Sequence, residues 1–554
     1  MSIFREKLSF YRVYVEDPSR VRLRGMATVR SNIMAVNTLA ELLKTTLGPR
    51  GMDKIVVETS GEWFITNDGT TILRNIDVRH PAAQLLVKAA EAQDGEVGDG
   101  TTSVVILAAE LLNRADRLLQ LKLHPNIIIK GYKHALDIAL KRMRELAKPA
   151  SLDNLEILKK ICETSLSNKT LGFAKKHMIK IAVDAFLHII EQREGKIYVD
   201  KENILVVKKP GKSLRESLLV EGLILDKGVA HPLMPKRIND AKIALISSPL
   251  KIEKAWYQKT EIVVKSMTDI KQILDEENRF LRENIVEKLL KIGANVVLCG
   301  DAICEGVQYL LAKAKIMAVK RVGISDLWRL TKATGGKLVA SLKELTEADL
   351  GKAQLVEEVK IGPDKLLFIK GCPRAKSVSI LLRAGSRRQL DEAERAFNDA
   401  IMNLITLTDE MKYVPGGGAI EMALASIIRR EASNYQGKEQ MAIMAFADSL
   451  EAIPRILAEN SGLDSVKILM KLRSLHEKGE HHYGVEAISK RIMDMFKAGI
   501  IEPLKLKEQI LKSAFEIVST LLRIDEIFTG LEFFEELPKP EEKDVPPASE
   551  SKKK

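Results

Sequence analysis

Residues Gly95-Glu96-Val97-Gly98-Asp99-Gly100-Thr101-Thr102-Ser103 place three glycines, two carboxylates and three hydroxyls directly ahead of an apolar run, Val104 to Leu119, that reads as a buried helix. Gly98 and Gly100 can take backbone conformations closed to other residues and let a ligand approach the main chain. The free N–H groups and positive end of a helix starting near Thr101 would face an anion. Asp99 would repel a phosphate there unless a hard cation such as Mg2+ sat between them. The chemistry indicated is a nucleotide phosphate with Mg2+. A glycine turn before an ordinary capped helix, with Asp99 or Thr101 as the cap, would carry the same residues.

The same four residues occur earlier, as Asp68-Gly69-Thr70-Thr71. A cap has no need of one solution twice, whereas a cation and its attacking water would use two carboxylates. A third carboxylate, Asp399, lies on the helical stretch Gln389 to Leu407 but well away from its apolar stripe of Ala393, Phe397, Ala400, Ile401 and Leu404. A solvated surface residue points away in the same manner, so Asp399 matters only if the fold carries it over Asp99. Val414-Pro415-Gly416-Gly417-Gly418 offers a second close approach of backbone to ligand, or a flexible linker. No GxxxxGK[ST] occurs and no Ser/His/Asp arrangement suggests acyl transfer. Cys162, Cys299, Cys304 and Cys372 lack metal-ligand spacing and read as reduced thiols of a cytosolic protein.

The elements that must position these groups follow from periodicity. Apolar spacing predicts a helix from Gly25 to Thr46, stopped by Gly48-Pro49, then a hairpin of Lys54 to Val57 and Trp63 to Thr66. Helices follow over Val104–Leu119, Ile127–Leu146, Leu155–Leu166 and Leu171–Glu191. Strand-like runs then take over (Ile197–Val199, Ile204–Val207, Leu218–Ile224). Between Gly228 and Lys370 strands alternate with helices, including one over Ile270–Leu290, which argues for parallel strands. A strand at Ser377–Leu382 precedes the Asp399 helix, and a last helical block runs from Gly418 to Ile527, interrupted near Ser461-Gly462 and by a loop from Gly479 to Gly484. The tail from Pro538 to Lys554 has almost nothing apolar to bury and is expected to be disordered. The order helical, mixed, α/β, mixed, helical implies nested domains, the outer ones completed by returning chain.

At 554 residues the chain suggests roughly three or four domains. The net charge of +12 raises nucleic-acid binding, but 87 Lys+Arg face 75 Asp+Glu and aromatics are 5%, thin for base stacking, so nucleic acid is not the expected partner. No secretory leader and no run of about 18 apolar residues is seen, so a membrane partner is excluded too. The connection Pro249 to Lys265 carries Ile252, Trp256, Tyr257 and Ile262, apolar groups that could bind non-native chains or pack on their own domain.

Taken together, Thr45 to Lys54, Thr66 to Leu73, His80-Pro81-Ala82-Ala83, Val97 to Ser103 and Val414 to Ala419 resemble the group II chaperonins, the archaeal thermosome kind foremost. The resemblance implies an α+β multidomain chain: a mostly α equatorial ATPase domain (1–151 and 410–537), a mixed intermediate domain (152–220 and 373–409) and an α/β apical domain (221–372) with a helical lid protrusion at about 250–282. It implies ATP and Mg2+, with Asp99 on the metal and Asp68 and Asp399 on the hydrolytic water. Leu47, Gly48, Pro49, Gly100, Thr101, Thr102, Ser103, Gly417, Glu502 and, as a γ-phosphate sensor, Lys169 would contact nucleotide. The implied partners are non-native polypeptides and paralogous or identical subunits in stacked eight- or nine-membered rings, in the cytoplasm. The aromatic Ala255-Trp256-Tyr257-Gln258 and the lysine-ended tail depart from the family, which keeps open a structural subunit that tunes a hetero-oligomeric ring and folds little alone.

Overall fold

The computed structural model describes residues 22–57, 61, 63–169, 172–193, 196–251, 276–373 and 377–528. Ile252, Trp256, Tyr257, Ile262 and the tail from Pro538 lie outside the described residues.

The largest apolar core is helical and draws on both ends of the chain. Its helices Met26–Lys44, Pro81–Val97, Thr101–Gln120 and Pro125–Leu146 pack with Ala419–Glu431, Lys438–Leu450 and Leu504–Leu522. Each buries residues at three- and four-residue intervals, the pattern that made these helices readable. The first and last described strands pair antiparallel, Arg22–Arg24 with Glu526–Phe528. The hairpin forms as expected, Lys54–Val57 against Trp63–Thr66.

A middle core joins helices Leu155–Ser165 and Lys175–Ile189 to strand Val378–Ala384 and helix Arg387–Glu410. Ser386 caps that last helix by accepting from Gln389 N–H, and Met411, at φ +49°, ends it. Its buried stripe is Leu390, Ala393, Phe397, Ala400, Ile401 and Leu404.

A small cluster of Ile106, Met422, Ile453, Ile456, Leu457 and Val485 adjoins the helical core, and three further cores lie on the faces of a nine-stranded sheet spanning Ile204 to Ala384. Here the expectation of parallel strands needs correction. Arg237–Ile246, Val296–Cys299, Met317–Val319 and Leu338–Val339 run parallel. Gly351–Ile361 and Asp364–Lys370 form an antiparallel hairpin that joins this half to Leu218–Leu225. The physical reason is the short Gly362 turn at φ +61°, which can connect only antiparallel neighbours. In the last block, Tyr483–Glu486 and Arg491–Asp494 form a further hairpin that begins in the expected loop and runs on where helix was expected. Residues 276–281 open the helix expected over Ile270–Leu290, which continues through a π turn, Arg282–Val286, to Ile292. Among the described residues, no helix is long and apolar enough to cross a membrane.

Candidate nucleotide site

The turn after Met26–Lys44 is fixed by its own backbone. Gly51 N–H donates to Gly48 O at 2.9 Å and Met52 N–H to Thr45 O at 2.7 Å. Asn460 Nδ2 donates to Lys44 O and Leu47 O, each at 2.9 Å. Gly48 sits at φ +83°, and a Cβ there would lie 2.4 Å from Leu457, so only glycine fits.

Asp99 Oδ1 accepts from Gly100 N–H at 2.6 Å. Its Oδ2 accepts from Asn403 Nδ2 at 2.9 Å and from Ser165 Oγ at 3.4 Å. Helix Thr101–Gln120 starts from Gly100, at φ +79°, with no side chain capping it. The capped-helix alternative, with Asp99 or Thr101 as cap, therefore does not hold for this copy. It does hold for the other: Asp68 caps Gly69–Arg74, its Oδ2 accepting from Thr71 N–H at 2.9 Å and Thr71 Oγ1 at 2.5 Å. The two copies abut, since a Cβ on Gly69 would meet Thr102 Oγ1 at 2.7 Å and Thr101 Oγ1 at 2.9 Å.

Asp399 is not a solvated surface carboxylate. Its side chain is 17% exposed, and its Oδ2 lies 3.0 Å from Nζ of Lys169, itself 3% exposed. Burial pushes the Asp399 carboxyl up to about 8; Lys169 opposes the rise, and Asp99 and Asp68 add to it. Burial acts to strip the Lys169 proton, but Asp399, Asp68 and Glu392 outweigh it and hold the ammonium above its ordinary value. The helix carrying Asp399 reaches the glycine turn directly: a Cβ on Gly98 would lie 2.3 Å from Met402 Cβ.

Two cavities flank this cluster. The first, about 480 Å³, is lined by Leu47, Gly48, Pro49, Asp99, Gly100 and Ser103. Gly417 and Glu502 close its far side, and Ile453, Leu457, Val485 and Ile510 give it an apolar wall. That volume and mix suit a small organic ligand with a charged end. The second, about 860 Å³, is lined by Asp68 and Asp399. Thr101, Thr102 and Lys169 line neither.

Glu502 reaches the first cavity because Ile501–Pro503 pairs with Lys412–Pro415, Val414 opposite Glu502, beside the glycine loop. Its Oε2 lies 2.7 Å from Lys507 Nζ, which is also 2.9 Å from Glu421 Oε1, and burial raises the Glu502 carboxyl against the pull of Lys507. Lys507, Glu421, Ser165 and Asn403 carried no signal in the sequence reading. Asn403 alone was within reach of it, standing one helical turn after Asp399 and donating to Asp399 O at 3.0 Å.

Asp99 offers carboxylate oxygens, with the Ser165 hydroxyl beside it and Ser103 on the same cavity wall, a hard-oxygen set that suits Mg2+ held by one carboxylate plus water and phosphate oxygens. Among the described residues, no group of three or more His, Cys, Asp or Glu is placed to hold a metal ion.

The helical core, built from segments before and after the inserted sheet, with this site at its seam with the middle core, has the nested architecture that the chaperonin resemblance implies. Residues 39–530 match the TCP-1/cpn60 chaperonin family, and the chain belongs to that family as a group II chaperonin subunit. It is 45% identical over 507 residues to thermosome subunit beta of Aeropyrum pernix, covering 91% of this chain and 92% of that one. It is 45% identical over 510 residues to thermosome subunit beta of Sulfolobus acidocaldarius (92% of each chain), and 43% identical over 513 residues to thermosome subunit alpha of Archaeoglobus fulgidus (92% and 94%).

Proposed function

We propose that this subunit binds ATP in the 480 Å³ cavity and hydrolyses it to drive the enclosure and folding of non-native polypeptides. In this reading the helical core is the equatorial ATPase domain, the middle core the intermediate domain and the sheet the apical domain. The subunits, identical or paralogous, stack in eight- or nine-membered double rings in the cytoplasm. The existence of separately named alpha and beta thermosome subunits among the relatives supports mixed rings.

The observation that carries the reading is the approach of Asp399 to Lys169, Asp68 and Asp99 from a distant stretch of sequence. The phosphate end of ATP would lie against Gly48, Pro49, Gly100 and Ser103, with the base along the apolar wall and Glu502 facing the nucleoside. Asp99 would hold Mg2+, which when bound neutralises phosphate charge. Asp68 and Asp399 orient a water for in-line attack. Its oxygen bonds to the γ-phosphorus as the bond to the bridging oxygen of ADP breaks. The water proton passes to the Asp399 carboxylate, whose raised affinity for protons near neutrality suits a base. Lys169, buried behind Asp399, would sense loss of the transferred phosphoryl group through their ion pair. The aromatic segment at Trp256 and Tyr257 is assigned to the lid and substrate contact.

Electron micrographs of the purified subunit with and without ATP, read beside ATP-dependent refolding of a denatured protein, test this. Double rings that close with ATP and refold substrate are expected. Isolated subunits without refolding, rescued only by paralogues, would instead support the ring-tuning role.

A further inference from the structure

The two cavities share no lining residue. They are parted by the segment Gly98–Asp99–Gly100 and by one turn of the helix Arg387–Glu410: Asp399 and Met402 face the second cavity, Asn403 the first. Both carboxylates assigned to the attacking water, Asp68 and Asp399, therefore open onto the second cavity and not onto the nucleotide cavity. In an in-line displacement the new oxygen–phosphorus bond forms opposite the bond that breaks. With ADP left in the first cavity, inorganic phosphate finishes on the side of the second.

The charges along the second cavity are graded. Asp68 and Asp399 sit at its inner end, whereas Arg74, with a side chain 59% exposed, and Lys201, also exposed, sit toward solvent. Arg395 lines the wall between them. Arg74 and Arg395 are steadied by Glu91 and Glu392, at 2.9 and 2.8 Å. Lys201 makes no ion pair with a described residue, and the neighbouring Asp200 is countered by Lys332 at 3.2 Å. Asp94, also on the wall, has its carboxyl raised by burial and by Asp68, with Arg74 and Lys201 acting against the rise. One wall, Asp68 to Gly98, comes from the helical core. The other, Val199 to Lys201 and Arg395 to Ile405, flanks the middle core. The width of the passage therefore depends on how the two cores are set against each other.

We propose that this second cavity is the route by which the hydrolytic water enters and inorganic phosphate leaves, apart from the nucleotide, with Lys201 and Arg74 drawing the phosphate to solvent. The inference rests on the ATPase reading and adds a consequence: phosphate release is gated by movement of the middle core, so cleavage and release are separable steps.

The test is a single turnover of ATP on the assembled complex, followed in parallel by acid quench for cleavage and by a fluorescent phosphate-binding reporter for release. Lys201→Glu should leave the quench rate within about twofold of the unsubstituted protein and delay phosphate appearance by about tenfold, roughly the 1.4 kcal/mol that a repulsive contact at the mouth would supply. Lys201→Gln should give a smaller lag. Arg491→Glu, on an exposed part of the nucleotide-cavity wall, should keep release in step with cleavage. Release in step with cleavage in Lys201→Glu, or a lag confined to Arg491→Glu, overturns the route. Absence of cleavage in the quench arm of the unsubstituted complex overturns instead the ATPase reading beneath it.

Discussion

The two Asp-Gly-Thr-Thr turns have the same sequence and differ in what their carboxylates do. Asp68 turns onto its own helix and is satisfied by Thr71, a local cap. Asp99 is followed by a left-handed Gly100 that takes over the cap position, and its outer oxygen meets Asn403 and Ser165 from the middle core. What separates them is the residue before: Gly98, also left-handed, lets the helix of Met402 lie on the backbone, while Asn67, before Asp68, donates instead to Asn168 O. Four residues thus specify a turn, and the neighbours decide whether its carboxylate is tied to its own helix or to the middle core.

Substitutions can break this contrast. Asp99→Lys places an ammonium where the cation would sit and should abolish Mg2+-dependent nucleotide binding, a loss of 100-fold or more on the order of a deleted metal contact; calorimetric titration with and without Mg2+ reads it, and unaltered affinity would remove the metal role. Lys169→Met leaves the Asp399 carboxylate buried without its partner. It should cost about 3 kcal/mol in denaturant unfolding, the range seen when one member of a buried pair is removed. It should also move the rising limb of the pH–turnover profile to higher pH, because removing the ammonium raises the Asp399 carboxyl further. Gly98→Ala forces a Cβ against Met402 at positive φ and should cost about 2 kcal/mol while pushing the two cores apart; a shifted thermal midpoint with a weakened ATP response is expected. Asp68→Ala removes a cap worth about 1 kcal/mol, yet should lower turnover far more than stability, unlike an ordinary cap.

Much of the helical architecture was legible because its helices carry regular apolar stripes: Met26–Lys44 and Thr101–Gln120 lie within a few residues of where periodicity put them. Strand Gly351–Ile361 was not, because Lys352, Gln354, Glu357, Glu358 and Lys360 leave it no continuous apolar run, and without it the sheet looked wholly parallel. Within the site, glycines and carboxylates announced themselves by type and spacing. Asp399 could be seen only as off-stripe; its burial depends on Lys169, from a segment far away in sequence, and no local pattern encodes that meeting. Lys507 and Glu421 were invisible for a related reason, each being an ordinary helical charge until Ile501–Pro503 pairs beside the glycine loop.

The central claim is that Asp399, brought in by the middle core, acts on the water and not on nucleotide binding. It is tested most directly by Asp399→Ala, measured for both ATP affinity and turnover across pH. In the unsubstituted subunit turnover should rise as pH increases through about 8, since a base works when ionised and this carboxyl is raised to that value. In Asp399→Ala that limb should vanish and turnover should fall roughly 100-fold or more, the usual contribution of a general base, with affinity essentially kept. Turnover at the unsubstituted level, with the same pH profile, would contradict the account.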